Sequence, residues 1–292
     1  MPGIRKKPFV LQGESDMQPI RLLATDLDGT LLDSRGEISQ ENLRAIHELA
    51  ARGIPVVPAS GRSFSEMPEI LRTNPDIRYY IYSCGAAVLD RMTGERIEMC
   101  IPHETVVHLL DTLYRYETHI SYRRGGCCIG DGEKRSDDDY AYYNVWNRHR
   151  EVIEAFASFD CDFKAHAYES DRVEMMAVYF HDEEECEACK RALSRIDGIS
   201  FVHVVYCGIE IFSAAAGKDR ALMALADRLG IPHAQTAAVG DSDNDLTMVR
   251  AAGVGIAVSN ACRSLLEAAD TVICSNDEHA IADIAAHLGP GL

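Results

Sequence analysis

Residues 24–34 read ATDLDGTLLDS and follow a largely apolar run at 20–23. The run predicts a buried strand, at whose end Asp26 and Asp28 flank a single leucine. Two carboxylates facing one way at about 3 to 6 Å raise each other's pKa unless a cation offsets their repulsion. Gly29 allows a sharp turn that could bring a backbone carbonyl to the same cation. Two readings stay open for this stretch alone: a divalent metal site, or an Asx-type turn with solvated carboxylates.

The chain around this stretch alternates between strand and helix patterns. ISQENLRAIHELAARG at 38–53 has helical spacing, with Ser39 as a cap and Gly53 as a stop. IPVVPAS at 54–60 predicts a second strand, and the polar segment after Arg62 predicts another helix. Such alternation is typical of a parallel sheet covered on both faces, with ligands beyond the carboxyl ends of its strands.

The middle of the chain breaks this rhythm. It predicts a helix near 104–117, strands at 118–130 and a charged loop, followed by a strand, a Glu-rich helix and a strand ending near 205. Alternation returns with the helix KDRALMALADRLG, which begins at Lys218. We therefore expect an α/β protein with a separate α+β insertion. The expected division is a flexible leader at 1–18, a core at 19–101 and 207–292, and an inserted cap at 102–206.

A second acidic cluster, GDSDNDL at 240–246, also follows an apolar run. Asp241, Asp243, Asn244 and Asp245 are oxygen donors at a strand-to-helix junction, where they could bind a hard cation while the helix N-terminus attracts an anion. An EF-hand loop is excluded, because its required Gly and Glu positions hold leucine and alanine. The alternative is helix capping with acids in the first turn, which is what we expect of Asp243.

Two further short motifs are suited to phosphate. Ser60 with Gly61 would offer a hydroxyl and backbone N–H donors, and Lys218 after Gly217 would offer a fixed positive charge. Taken singly, each has an ordinary explanation, since serine before glycine is a common turn and a lysine at a helix start is usually solvated.

Composition narrows the function classes. The 292 residues carry a formal net charge of −17 and no apolar stretch of membrane-spanning length, so we expect neither nucleic acid nor a membrane as a partner. The N-terminus does not resemble a secretory signal, and ten scattered cysteines suit the reducing cytoplasm. Cys186 and Cys189 have ligand spacing but no second ligand pair, so we expect no metal there.

Four motifs occur in the order found in one known family. They are DLDGTLL at 26–32, ASGR at 59–62, GK at 217–218 and GDSDNDLTM at 240–248. Together they resemble the haloacid dehalogenase superfamily, and in particular its Cof-like branch of sugar and metabolite phosphatases. The resemblance covers about 20–290 and implies a Rossmann-like parallel-sheet core with an inserted α+β cap.

The resemblance also implies a mechanism. Asp26 would be the nucleophile that becomes an aspartyl phosphate, and Asp28 would be the general acid and base. Mg²⁺ would bind Asp26, the backbone carbonyl of Asp28 and Asp241, with Asp245 holding metal-bound water. The implied phosphate-binding residues are Ser60, Gly61, Lys218 and Asn244.

The resemblance is not complete. Cys84 stands where many relatives have Asn, and Asp219 where Gly is usual. Neither change removes a catalytic atom, but both put the local loop shape in doubt.

The cap offers candidates for substrate contact. Arg123 and Arg124 lie between a predicted strand and a glycine turn, where they could meet the substrate or be held in ion pairs. Trp146 is expected to pack in the cap or its hinge.

We expect a Mg²⁺-dependent phosphatase acting on small phosphorylated metabolites. A phosphomutase that uses the same intermediate is the alternative among enzymes. A noncatalytic regulator that binds metal and phosphate is the alternative among other classes.

Overall fold

A computed structural model describes residues 19–145, 147–204 and 207–288. The predicted leader at 1–18 and Trp146 lie outside the described residues. The strands of the described chain are β1 Leu22–Thr25, β2 Val56–Pro58, β3 Tyr79–Tyr82, β4 Ala87–Asp90, β5 Arg96–Glu98, β6 Thr118–Arg124, β7 Cys127–Asp131, β8 Ser158–Asp160, β9 Val173–Phe180, β10 Ile199–Val204, β11 Gly208–Ser213, β12 Thr236–Gly240, β13 Val254–Val258 and β14 Thr271–Ile273. Its α-helices are α1 Gln40–Ala51, α2 Glu69–Arg72, α3 His103–Leu113, α4 Asp137–Tyr142, α5 Asn147–Phe156, α6 Phe163–Glu169, α7 Glu183–Leu193, α8 Lys218–Leu229, α9 Leu246–Ala251, α10 Arg263–Ala268 and α11 Ala280–His287.

A parallel sheet forms the core, with strand order β14-β13-β12-β1-β2. Strand β1 lies inside the sheet, between β12 and β2, and is fully buried because helices cover both faces of the sheet. Its successive side chains alternate between two apolar layers: Leu23 packs with α1 and α11, and Leu22 packs with α8. The predicted α/β core is thus confirmed.

Helix α1 begins and ends where the sequence indicates. The Ser39 hydroxyl accepts a hydrogen bond from the backbone N–H of Asn42 at 3.1 Å, and Gly53 follows the helix with a φ of +73°. The segment after Arg62 differs from expectation, since only the single turn α2 forms there.

A small antiparallel sheet, β3-β4-β5, lies beside the parallel one. The sequence predicts strands near 79–85 and 96–101, but β4 between them was missed. Residues 83–85 instead form a tight turn in which Ser83 and Cys84 both have positive φ.

The inserted region is built on a six-stranded sheet of order β10-β11-β9-β6-β7-β8. All of its pairings are antiparallel except that of β7 with β8. One face packs on α3, α6 and α7, where Cys186 and Cys189 are buried in the apolar layer. The sequence-predicted charged loop contains the start of α4, a helix that the pattern did not reveal.

Strand β11 bears on the expected domain division. It pairs with β9 and β10, so a boundary between 206 and 207 would separate neighbouring strands of one sheet. We propose that the cap extends through Ser213 and that the core resumes with α8. Within the described residues, no helix is both long and apolar enough to cross a membrane.

Candidate active site

The two acidic motifs meet at the carboxyl end of the parallel sheet. Asp26 follows β1 and Asp241 follows β12, and these strands are neighbours with Thr25 opposite Val239. The 3₁₀ turn after β12 adds Asp245. One carboxylate oxygen from each of the three aspartates lies within 4.8 Å of the other two.

Lys218 joins this cluster from the start of α8. Its ammonium donates hydrogen bonds to Asp26 Oδ1 at 2.6 Å and to Asp245 Oδ1 at 2.7 Å, and all three side chains are buried. Burial alone would lower the pKa of Lys218, but the carboxylates of Asp245 and Asp26 outweigh it and raise that pKa. Lys218 therefore stays positively charged.

One ammonium does not balance three carboxylates. Burial, followed by the charge of Asp245, raises the pKa of Asp26 well above its ordinary value. The same two causes raise the pKa of Asp241 to about 6. The cluster thus has an excess of negative charge that a further cation would relieve.

A divalent metal fits this donor set. Carboxylate oxygens are the ligands that Mg²⁺ prefers. The hydroxyl of Thr30 donates a hydrogen bond of 3.4 Å to Asp241 Oδ1. Gly29 has a φ of +85°, and a Cβ there would lie 2.6 Å from Asp241 Oδ2. Only glycine therefore lets the DLDGT turn approach Asp241 this closely.

Asp245 does more than the role implied by the resemblance. Its Oδ2 accepts the backbone N–H groups of Asp241 and Ser242 at 3.1 and 3.2 Å, while its Oδ1 accepts Lys218. Asp245 therefore fixes the turn that carries Asp241. Asp243 is an acid in the first turn of this 3₁₀ turn, as expected, while Ser242 is its N-cap. The Asp243 carboxylate accepts a hydrogen bond from Ser264.

Asp28 lies beside the cluster with its carboxylate directed elsewhere. Arg62 holds it in a two-point ion pair, with Nε to Oδ2 at 2.8 Å and Nη2 to Oδ1 at 2.7 Å. The Asp28 side chain is 41% exposed and lines the cavity described next. The sequence motif ASGR contains Arg62, but its residue pattern gave no sign of this partner.

A cavity of about 280 Å³ opens over these groups. Ser60, Gly61 and Asn244 line it, so three of the four residues expected to bind phosphate share one space with Asp26. Lys218, the fourth, does not line the cavity but is hydrogen-bonded to Asp26, which does.

The cap closes the other side of the cavity. Arg123 lines it and is almost fully buried, because it pairs with Glu66 at 3.0 Å and donates to Ser121 Oγ at 2.9 Å. Arg124 is not brought to the site; it is exposed and pairs with Asp171 at 3.1 Å. Neighbouring residues of a strand point to opposite faces of a sheet, which explains why Arg123 lines the cavity and Arg124 does not.

Cavity residues that the sequence missed include Glu66, Tyr179 and Glu210. Glu66 lies on a core loop, Tyr179 on β9 and Glu210 on β11. Their alternation with apolar neighbours in the two strands was the available signal, but it does not indicate which face meets the core.

Comparison with known proteins places the chain in a family. Residues 23–284 match the family model of haloacid dehalogenase-like hydrolases. Phosphatase YwpJ of Bacillus subtilis is 31% identical over 286 residues, covering 92% of this chain and all of the relative. A phosphoglycolate phosphatase of Archaeoglobus fulgidus is 29% identical over 277 residues, covering 92% of this chain and 97% of the relative.

A solved structure agrees with these matches. A haloacid dehalogenase-like hydrolase from B. subtilis superposes with a TM-score of 0.75 at 27% identity, covering 92% of this chain and 100% of that one. The chain belongs to the haloacid dehalogenase superfamily, within its Cof-like branch. It is a phosphatase, an enzyme that hydrolyses phosphate monoesters.

Proposed function

We propose that this phosphatase is Mg²⁺-dependent, acts on small sugar phosphates or related metabolites, and works through an aspartyl phosphate on Asp26. The observation that carries the proposal is the convergence of Asp26, Asp241, Asp245 and Lys218 in one buried cluster, in which Asp26 lines the cavity.

We assign Asp26 the role of the nucleophile. It lines the cavity at the end of β1, and its backbone N–H donates to Val239 O at 3.0 Å, which fixes the start of the turn. Lys218 holds Oδ1. An oxygen of Asp26 would attack phosphorus in line, and the P–O bond to the leaving alcohol would break as the aspartyl phosphate forms.

We assign Asp28 the role of the acid and base. It would protonate the leaving alcohol, then take a proton from the water that hydrolyses the aspartyl phosphate. Its ion pair with Arg62 sets the direction of the carboxyl group. Because the side chain reaches the cavity, the proton has a short path to the leaving oxygen.

The metal would be held by Asp26, Asp241 and the backbone carbonyl of Asp28, with Asp245 beside it. When bound, Mg²⁺ supplies charge neutralisation for the phosphoryl oxygens during transfer. Lys218 adds a fixed positive charge. The Ser60 hydroxyl, the Gly61 backbone and the Asn244 amide would bind the phosphoryl oxygens from the cavity wall.

The proposed substrate class rests on the size of the cavity and on the residues that line it. A cavity of about 280 Å³ is at the lower end of the size of ligand sites and suits a small metabolite better than a phosphoprotein side chain on its backbone. Its walls carry hydroxyl, amide, guanidinium and carboxylate groups, as a hydroxylated ligand requires. All ten cysteines are free, which supports our inference of a cytoplasmic site of action.

The test is phosphate release from a panel of metabolite monophosphates with Mg²⁺ or with EDTA. We expect Mg²⁺-dependent release, and a loss of several orders of magnitude in kcat for Asp26→Asn, since the other groups act through this nucleophile. Asp227→Asn, an exposed acid on α8, is the matched control and should keep parent activity.

Two results would contradict the proposal. Near-parent turnover by Asp26→Asn would remove the nucleophile assignment. Conversion of a hexose monophosphate to an isomer, without inorganic phosphate and only with a bisphosphate activator, would indicate a phosphomutase instead.

A further inference from the structure

The cap turns one face of its six-stranded sheet toward the core. Side chains on the opposite face, such as Ile209 and Ile211 of β11, are buried against the cap helices. Because side chains alternate along a strand, Glu210 between them must face the cavity, and Tyr179 of β9 lies on the same wall. A carboxylate at this position faces whatever is attached to the phosphoryl group.

The other charges of the cavity wall are already paired. Arg123 is bound to Glu66, and Arg62 is bound to Asp28. The wall above Asp26 carries five charged groups, namely the two ion pairs and Glu210. Because each arginine is paired with one carboxylate, the negative charge of Glu210 is not balanced within the wall. The part of the cavity that receives the leaving group is therefore electronegative.

Glu210 also keeps hydrogen-bonding capacity for a ligand. A carboxylate can accept about four hydrogen bonds. Among the described residues, the hydrogen bond recorded for Glu210 is a weak one at 3.3 Å from the Cys84 thiol. Burial, with the charge of Glu66, raises the pKa of Glu210, and the charges of Arg123 and Lys218 act in the opposite direction.

The carboxylate is close to the expected phosphate loop. A Cβ placed on Gly61 would lie 3.4 Å from Glu210 Oε2. Since Gly61 follows Ser60, Glu210 lies beside the expected phosphate loop, on the part of the wall that faces the leaving group.

We propose that Glu210 selects the leaving group, accepting hydrogen bonds from its hydroxyl or ammonium groups and disfavouring a second anionic group. The inference rests on the proposed function, because it concerns the substrate of the same site. It narrows the substrates to monophosphates of neutral polyols or amino sugars. Sugar acid phosphates and bisphosphates are disfavoured, since like charges brought together in a poorly solvated site repel.

Three probes with one carbon skeleton test this: glucose 6-phosphate, glucosamine 6-phosphate and 6-phosphogluconate. The phosphate is common to all three, so differences in kcat/KM report the leaving group. For the parent enzyme we expect 6-phosphogluconate to be disfavoured by about 10-fold or more relative to the neutral and amino sugars.

Glu210→Gln keeps the shape and removes the charge. We expect it to raise kcat/KM for 6-phosphogluconate relative to glucose 6-phosphate by about 10-fold and to lower the relative value for glucosamine 6-phosphate. The change should lie mainly in KM. Glu187→Gln, an exposed cap glutamate paired with Lys190, should leave the ranking unchanged.

Binding gives a second measurement that does not depend on turnover. Dissociation constants of the three probes are measured by calorimetry with Mg²⁺ on Asp26→Asn, with and without Glu210→Gln. If Glu210→Gln does not fold, the order of the three dissociation constants on Asp26→Asn alone tests the proposed preference against anionic leaving groups.

Each failure has its own signature. Equal rankings with and without Glu210, in turnover or binding, would overturn the role of Glu210 while leaving the phosphatase proposal intact. A parent that prefers 6-phosphogluconate would also overturn it. Absence of Mg²⁺-dependent phosphate release from every probe, including p-nitrophenyl phosphate, would instead count against the proposed function.

Discussion

The ammonium nitrogen of Lys218 lies 2.6 Å from Asp26 Oδ1, although 192 residues separate the two in the chain. A second bond of 2.7 Å ties the same nitrogen to Asp245. With Asp241 beside them, three carboxylates share one buried ammonium. This imbalance is the source of the first three predictions.

Replacing Lys218 should destabilise the protein strongly. Lys218→Met leaves the carboxylates of Asp26 and Asp245 buried without their partner, and breaking a buried ion pair costs about 3–5 kcal/mol. The measurement is urea unfolding in EDTA. Lys190→Met is the control, because its partner Glu187 is half-exposed and such pairs contribute about 0–1 kcal/mol. Equal losses in the free energy of unfolding of the two variants would show that the buried ion pairs contribute no more to stability than an exposed one.

Added Mg²⁺ should raise the melting temperature. A ligand that binds only the folded state adds about 2.7 kcal/mol of stability at 100 times its dissociation constant. The shift should shrink in Asp241→Asn, which removes a carboxylate of the cluster. Asp243→Asn is the matched control two residues away, since Asp243 is exposed and hydrogen-bonded to Ser264. A shift unaffected by Asp241→Asn would place the metal elsewhere.

The metal-free protein should show a distinctive pH dependence. The pKa of Asp241 is about 6 when folded and 3.8 in its ordinary state, so the folded state binds more protons between these values. Its contribution to stability therefore falls as pH rises from about 4 to 6. Asp241→Asn removes this loss, so its stability relative to the parent should grow over that range and level off above it.

Denaturant unfolding of both proteins in EDTA, at several pH values, measures this difference. The raised pKa of Asp26 acts in the same direction, because removal of the Asp241 charge eases its ionisation. A relative stability that stays constant from pH 4 to 7 would contradict the prediction.

The buried pair of Glu66 with Arg123 should hold the cap to the core. Both side chains are 1% exposed, and Glu66 also accepts the Ser63 N–H at 2.6 Å. Glu66→Gln leaves a buried guanidinium charge without its counterion, which should cost about 3–5 kcal/mol. The exposed pair of Glu41 with Arg44 supplies the control, and Glu41→Gln should cost less than about 1 kcal/mol. Differential scanning calorimetry compares the two, and matching melting temperatures would argue against a structural role for Glu66.

Much of the core and of the candidate site could be predicted from the sequence. The apolar runs before Asp26 and Asp241 indicated strands of a parallel sheet, whose carboxyl ends lie on one edge. Local rules also located both ends of α1 through Ser39 and Gly53. These features depend on short-range patterns and on one topological rule.

The cap could be predicted only in outline. Strand β11 of the cap was missed, as was strand β4 beside the core, because whether a short segment pairs with a sheet depends on partners distant in sequence. The helix α4 was read as a loop, since the run of aspartates that opens it is equally typical of solvated loops.

The sequence by itself determined that acidic turns end two apolar strands and that a lysine opens a helix, because strand and helix signals are local. Only the tertiary structure decided which charges pair: Arg62 with Asp28, Arg123 with Glu66, and Glu210 facing the cavity. The first two pairs join residues that are 34 and 57 positions apart in the chain, and the Cys84 thiol that contacts Glu210 is 126 positions from it. The pairing of Arg123 with Glu66 and the position of Glu210 depend on how the cap sheet faces the core, which no single stretch of sequence encodes.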